Sequence, residues 1–245
     1  MMNLIIDVGN TLVKLAVFDN ESLTFKKSCL KEDFLSTLQE FSSCYPKISD
    51  VIVSSVGNFS EGELLEIKNR YRVFVLTHKD SIPFKNNYES PNTLGVDRIA
   101  LVSAAAVQYP NKNVLVIDAG SCITYDFINS ENEYLGGAIS PGVTMRYRSL
   151  NILTEKLPLL EPKTINNFIG NSTECSIHIG VLQGVVSEIE GFVSLYKEKH
   201  EELTIILTGG DAHYLLDSLK NDIFASSNFL LEGLNYLLEH NKDTC

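Results

Sequence analysis

Twice in this chain an aspartate closes an apolar run just ahead of a glycine-containing turn. In the first copy Leu4-Ile5-Ile6 leads into Asp7-Val8-Gly9-Asn10-Thr11, and a second β-type run carrying Lys14 continues to Phe18. In the other, Val114-Leu115-Val116-Ile117 leads into Asp118-Ala119-Gly120-Ser121, followed by Cys122-Ile123-Thr124-Tyr125-Asp126-Phe127. Gly9-Asn10 is turn chemistry, because both residues tolerate positive φ. A hairpin tip of this kind offers backbone N–H groups and the Asn10 and Thr11 side chains to an anion. Asp7, at the exit of its strand, is placed to hold a cation and not to meet phosphate directly. Two such hairpins facing each other could grip a phosphate chain and its metal from both sides. No G-x-x-x-x-G-K-[ST] loop occurs in the chain. Either copy alone also reads as an ordinary hairpin with an Asp-x-Gly turn.

A third carboxylate stands in Asn92-Thr93-Leu94-Gly95-Val96-Asp97-Arg98, directly before the small and apolar run Ile99 to Val107. Asp97 and Arg98 therefore fall at a helix N-terminus. Asp is favoured there for its interaction with the helix dipole, and Arg98 could simply pair with it. The alternative gives Arg98 an anionic substrate and Asp97 a hydroxyl. Thr208-Gly209-Gly210-Asp211 closes another apolar run; it is common punctuation, and it also suits a flat base or ribose against the backbone. His178 stands in a helical apolar stripe without ligand spacing and reads as a packed or hydrogen-bonded histidine.

The elements that must carry these residues alternate. After the first hairpin come a strand at 23–30, a helix with Phe34, Leu35, Leu38 and Phe41 as core, a strand at 50–55 followed by Gly57, a charged helix at 61–70 and a strand at 73–76. Ile82 to Asn92, with Pro83 and Pro91, is an ordered loop. Tyr109-Pro110-Asn111-Lys112-Asn113 is the linker candidate, dividing the chain into domains 1–110 and 111–245. The second half reads as the Asp118 hairpin, a strand at 133–140, a helix at 143–153, an irregular stretch at 157–168, a long helix from Ser172, a strand at 203–207 and a final helix at 229–240. Arg146 and Arg148 read as solvated or interfacial. Gly136-Gly137 and Pro141-Gly142 permit close backbone approach to a ligand or a neighbouring subunit. Gly180, Gly184 and Gly191 in the long helix suggest tight packing on a neighbour, since each costs about 0.8–1 kcal/mol relative to Ala. The fold class is α/β, with mixed sheets flanked by helices.

The 245 residues are 44% hydrophobic and 21% charged, enough for a core without staples. A net charge of −11 disfavours nucleic acid or an anionic membrane surface as the partner. It permits a small anionic ligand, if cationic groups, amides and metal ions are focused locally. Cysteines 29, 44, 122, 175 and 245 form no C-x-x-C pair, which fits a reducing compartment. No signal peptide and no apolar run of about 18 residues is apparent, so the expected location is cytoplasmic.

Taken together, Asp7-Val-Gly-Asn-Thr11 with Lys14, Asn92-Thr-Leu-Gly-Val-Asp97-Arg98, Asp118-Ala-Gly-Ser-Cys-Ile-Thr124, Gly136-Gly-Ala-Ile-Ser-Pro-Gly142 and Thr208-Gly-Gly210 resemble the type III pantothenate kinases, in the acetate kinase/Hsp70/actin-like ATPase superfamily. The motifs run in family order from residue 4 to about 235. The resemblance implies two duplicated ribonuclease-H-like domains with the active site in the cleft between them. It implies transfer of the γ-phosphoryl group of ATP to the 4′-hydroxyl of pantothenate, the first step of coenzyme A biosynthesis, by a homodimer using Mg2+ and a monovalent cation, K+ or NH4+. On this mapping Asp7, Gly9, Asn10, Thr11 and Lys14 form the first phosphate motif, with Asp7 also a candidate magnesium ligand. Asp118, Gly120, Ser121 and Thr124 form the second, with Asp118 near the monovalent cation. Asp97 is the general base; Tyr88, Gly95, Arg98 and Thr173 are the pantothenate contacts; Gly209 and Gly210 make the adenosine-side turn. The second motif of the family usually reads Asp-x-Gly-Thr-Ala, where this chain has Ser121-Cys122, which keeps the hydroxyl and changes its surroundings. The competing readings are another small-molecule kinase of the superfamily, a non-catalytic regulator on the same fold, and a structural protein using the long helix as an interface.

Overall fold

A computed structural model describes residues 2–55, 60–163, 167–220 and 222–242. The chain forms two compact units: residues up to Pro110 together with those from Asn228 on, and Asn111–Ser227.

The first unit is built on β1 (Met2–Val8), β2 (Val13–Asp19), β3 (Ser22–Cys29), β4 (Ile48–Ser55) and β5 (Arg72–Val75), in the order β3-β2-β1-β4-β5. β1 is antiparallel to β2 and parallel to β4. Being central, β1 is buried on both faces, which is why its run is apolar without alternation. Leu4, Ile6 and Val8 pack with Phe34, Leu38 and Phe41 of α1 (Phe34–Cys44). Leu35, expected in that core, is 47% exposed, because it falls on the far side of the helix. Gly57, expected to follow β4, lies outside the described residues. The capping box of Ser60 and Glu63 opens α2 (Glu61–Lys68), and a two-residue strand, β6 (Lys85–Asn86), precedes α3 (Val96–Gln108).

The final helix, α8 (Phe229–Asn241), was expected in the second half; it belongs to the first unit. Its apolar face packs on α3, and Gly233 lets the backbones meet: a Cβ there would stand 2.0 Å from the Ala100 carbonyl oxygen. Asn3 Nδ2 donates to Asn235 Oδ1 at 2.8 Å, fixing α8 on β1. Because strand residues alternate, Asn3, Ile5 and Asp7 share the face that α8 covers.

The second unit repeats the plan. β7 (Asn113–Ala119), β8 (Cys122–Ile128), β9 (Glu133–Pro141), β10 (Leu203–Thr208) and β11 (Phe224–Ala225) run in the order β11-β10-β7-β8-β9. β7 is antiparallel to β8 and parallel to β10, as β1 is to β2 and β4. Asp118 on β7 therefore occupies the place that Asp7 holds on β1. α4 (Val143–Ile152), α5 (Thr173–His178), a π-helical turn (Ile179–Gln183), α6 (Gly184–Lys199) and the short α7 (Ala212–Leu215) complete the unit.

Two expectations are corrected here. Among the described residues, added Cβ atoms at Gly180, Gly184 and Gly191 would meet nothing within 4 Å, so no described element of this chain packs tightly on these glycines. The close approaches made by Gly137 and Gly142 are internal to the unit: a Cβ would stand 1.5 Å from the Tyr125 carbonyl oxygen and 2.1 Å from that of Gly120. The continuous helical run Thr173–Lys199 is long and apolar enough, by length and composition, to cross a membrane. Its stripe of Val181, Val185, Ile189 and Val193 is nevertheless buried in the unit's own core.

Candidate active site

In the first unit, Asp7 is 4% exposed and sits in register with Lys14 on one side and Ser54 on the other. Lys14 Nζ approaches Asp7 Oδ2 at 3.8 Å. Burial pushes the Asp7 carboxyl up to about 6; Lys14 opposes the rise and Asp97 adds to it. The carboxylate is thus short of positive charge, and its oxygens suit a cation. The turn that follows is closed by Gly9 N donating to Leu12 O at 3.0 Å, with Asn10 and Thr11 exposed. The expected positive φ is not used there: among the described glycines only Gly136 and Gly209 have it. A Cβ on Gly9 would stand 3.2 Å from Leu12 O, a tight contact across the turn.

Asp97 lies in the first turn of α3, behind the N-cap Gly95. Its Oδ1 accepts the backbone N–H of Arg98 at 2.8 Å, and a Cβ on Gly95 would stand 2.3 Å from that same oxygen. Arg98 does not spend its guanidinium on Asp97, as the simpler reading allowed. It is buried, and its Cζ lies 5.6 Å from the centroid of the Tyr88 ring. Tyr88, Gly95, Asp97 and Arg98 are therefore neighbours, and Asp97 is close enough to Asp7 to raise its pKa.

In the second unit, Asp118 is in register with Thr124 and Thr208. Gly120 N donates to Cys122 O at 2.9 Å, closing a turn like that at Gly9, with Ser121 exposed. Thr124 Oγ1 is buried and has no hydrogen-bond partner among the described residues, a polar atom left for a bound group. Gly209 has φ +98°, and a Cβ would stand 2.2 Å from Ala119 O and 2.5 Å from Asp118 Oδ1. It is there to let β10 turn beside Asp118, whereas Gly210 has nothing within 4 Å of its would-be Cβ, room that a flat ligand can use. Thr173 opens α5 behind the N-cap Ser172 and lines a cavity of about 830 Å³ with Arg146, Asn171, Ser176 and Gly180. His178 is packed as expected, its Nδ1 2.8 Å from Tyr147 Oη.

Two flanking hydroxyls mark what sequence reasoning passed over. Ser54, one residue from the end of β4, and Thr208, the last of β10, lie in the strands parallel to β1 and β7, one beside each aspartate. The signal was present as a hydroxyl closing each apolar run, but only the sheet order gives it meaning. Among the described residues no group of three or more His, Cys, Asp or Glu side chains gathers for a metal.

The fold is shared with solved sugar kinases. A ROK family glucokinase from Streptomyces griseus, solved with glucose and AMPPNP, superposes with a TM-score of 0.57 at 10% identity, covering 98% of this chain and 100% of that one. A Baf family protein from Campylobacter jejuni gives 0.65 at 21% identity over 98% and 99%. The sequence is more specific. The model of the type III pantothenate kinase family matches residues 3–195. Type III pantothenate kinases from Christiangramia forsetii and Flavobacterium johnsoniae are 50% and 46% identical, covering 98% and 99% of this chain and 99% of each relative. The chain belongs to the type III pantothenate kinase family, and is thereby an ATP-dependent phosphotransferase.

Proposed function

We propose that this chain transfers the γ-phosphoryl group of ATP to the 4′-hydroxyl of pantothenate, with Asp97 as general base. The observation that carries the reading is the grouping of Asp97, Gly95, Arg98 and Tyr88 at the start of α3, beside the buried Asp7. Phosphoryl transfer asks a protein mainly for positioning and charge compensation. The backbone amides and hydroxyls of the Gly9-Asn10-Thr11 and Gly120-Ser121 turns, with Lys14 and Thr124, are suited to phosphate oxygens. Gly209 and Gly210 make the adenosine-side turn. Asp97 takes the proton of the acceptor alcohol, a contribution of about 10²–10⁴-fold in rate. Arg98, steadied over Tyr88, meets the pantothenate carboxylate, and Thr173 supplies a further substrate contact. Asp7 would hold Mg2+, and Asp118 with Thr124 a monovalent cation, K+ or NH4+. When bound, these ions neutralise the charge of the phosphates.

We assign the reaction to the cytoplasm and to a homodimer. The dimer reading is supported by apolar residues left open on the second unit, among them Ile152 at 74%, Leu153 at 80% and Phe168 at 81% exposure. Light scattering should give twice the chain mass. The test of function is ADP release with a panel of acceptors, measured in potassium and in sodium salts. Pantothenate should support turnover in potassium, and glucose and acetate should not. Turnover with a sugar or acetate in its place would make this a different kinase, and silence with every acceptor would favour a regulator.

A further inference from the structure

Glu188 of α6 joins three elements behind the second phosphate turn. Its Oε1 accepts from Tyr125 Oη at 2.9 Å and from Ser140 Oγ at 2.5 Å, and its Oε2 accepts from Arg146 Nη2 at 2.6 Å. Burial raises the Glu188 pKa, but those three hydrogen bonds and the Arg146 charge outweigh it, so the carboxyl is held below its usual range. Arg146 also donates from Nε to Pro141 O at 2.8 Å. The clamped segment, Ser140-Pro141-Gly142, lies directly against the turn. Pro141 is in register with Cys122, and Gly142 N donates to Ser121 O at 3.1 Å. There is no slack in this contact: a Cβ on Gly142 would stand 2.1 Å from Gly120 O and 2.6 Å from Ser121 O.

From this chain of contacts we infer that Glu188 and Arg146 are positioning residues for the Gly120-Ser121 turn, setting where its amides and hydroxyl meet the nucleotide. The inference rests on reading that turn as a phosphate site. Arg146, expected to be solvated or interfacial, instead gives two of its nitrogens to the clamp. A residue that only fastened α4 and α6 to the sheet would need no link to the turn. Here Glu188 holds Ser140 directly and Pro141 through Arg146, and the next residue, Gly142, is bonded to Ser121.

The test uses the full-length protein and its Glu188→Gln and Arg146→Lys variants. Gln keeps an acceptor for Tyr125 and Ser140 but loses the charge facing Arg146; Lys keeps the charge but cannot hold Pro141 and Glu188 together. Calorimetry with AMPPNP should show each variant weakened about tenfold, the scale of one charge-assisted hydrogen bond. The double variant should be no weaker than either single one, because the pair acts as a unit. Pantothenate affinity of Glu188→Gln, measured without nucleotide, should be unchanged. A fall in melting temperature with AMPPNP affinity intact would overturn the inference and leave a structural brace. Weaker pantothenate affinity with intact AMPPNP affinity would also overturn it, assigning Arg146 to the acceptor cavity. Nucleotide affinity is read without turnover, so failure of the wild type to phosphorylate pantothenate would count against the functional reading and not against the clamp.

Discussion

Asp7 and Asp97 are both carboxylates at the ends of apolar segments, and their surroundings give them different work. Asp7 is buried near the end of the central strand β1 with one lysine at 3.8 Å. Its pKa, raised to about 6, means that the ligand-free fold opposes its ionisation. The penalty is absent below the unfolded value near 4, grows between there and pH 6, and is constant above, reaching as much as about 3 kcal/mol. Asp7→Asn should therefore raise the melting temperature of the ligand-free protein at pH 7.5, match wild type near pH 4, and bind Mg-ATP more weakly. A stability difference that does not grow with pH would refute the burial argument. Asp97 stands at a helix N-terminus with its Oδ1 on the Arg98 amide. Asp97→Asn keeps that acceptor and should leave nucleotide affinity unchanged while turnover falls about 10²–10⁴-fold; single-turnover rates check it. Both aspartates could be read from sequence because Asp7 closes a recognisable apolar run and Asp97 opens one. Ser54 and Glu188 could not, since the one acquires its place only from strand order and the other through contacts 63 and 42 residues away in sequence.

At the scale of elements, each Asp-x-Gly turn is the gap between a central strand and its antiparallel neighbour, and the strand parallel on the other side closes it. Gly209 does that closing in the second unit. Gly209→Ala would combine a φ of +98° with a Cβ 2.2 Å from Ala119 O. Strain of this kind costs about 1–3 kcal/mol, so the melting temperature should fall and ATP affinity should fall with it. Gly210→Ala, where the added methyl meets no protein atom, should leave stability alone and lower only nucleotide affinity. Equal loss of stability in both variants would contradict the distinction. The longer strands and helices were legible, because β1 and β7 are continuous apolar runs and α1 and α6 carry apolar stripes; the two-residue strands β6 and β11 and the short α7 were not. The glycines were not. Those in the long helix suggested packing and face open space, whereas Gly137 and Gly142 press on the chain's own carbonyls. Sequence shows that a side chain is missing but not what occupies its place.

For the whole molecule, the same five-strand order appears twice, so the two Asp-x-Gly hairpins are counterparts in fold as well as in spelling. The first unit needs both ends of the chain: α8 covers the face that carries Asp7 and packs on α3, which carries Asp97. Sequence could not assign α8, because an amphipathic helix does not say which sheet its apolar face meets. Gly233→Val forces a side chain against the Ala100 carbonyl and should cost about 1–3 kcal/mol by overpacking. Thermal unfolding should show the loss, and turnover should drop before the fold is lost because α3 is displaced. A variant with wild-type melting and turnover would show that α8 does not hold α3 in place. The most direct test of the central claim is the structure of the product formed from ATP and pantothenate. Mass spectrometry and phosphorus NMR should find a phosphate ester on the 4′-hydroxyl, stable to hydroxylamine. An acyl phosphate on the carboxylate, or no phosphorylated pantothenate, would contradict the account.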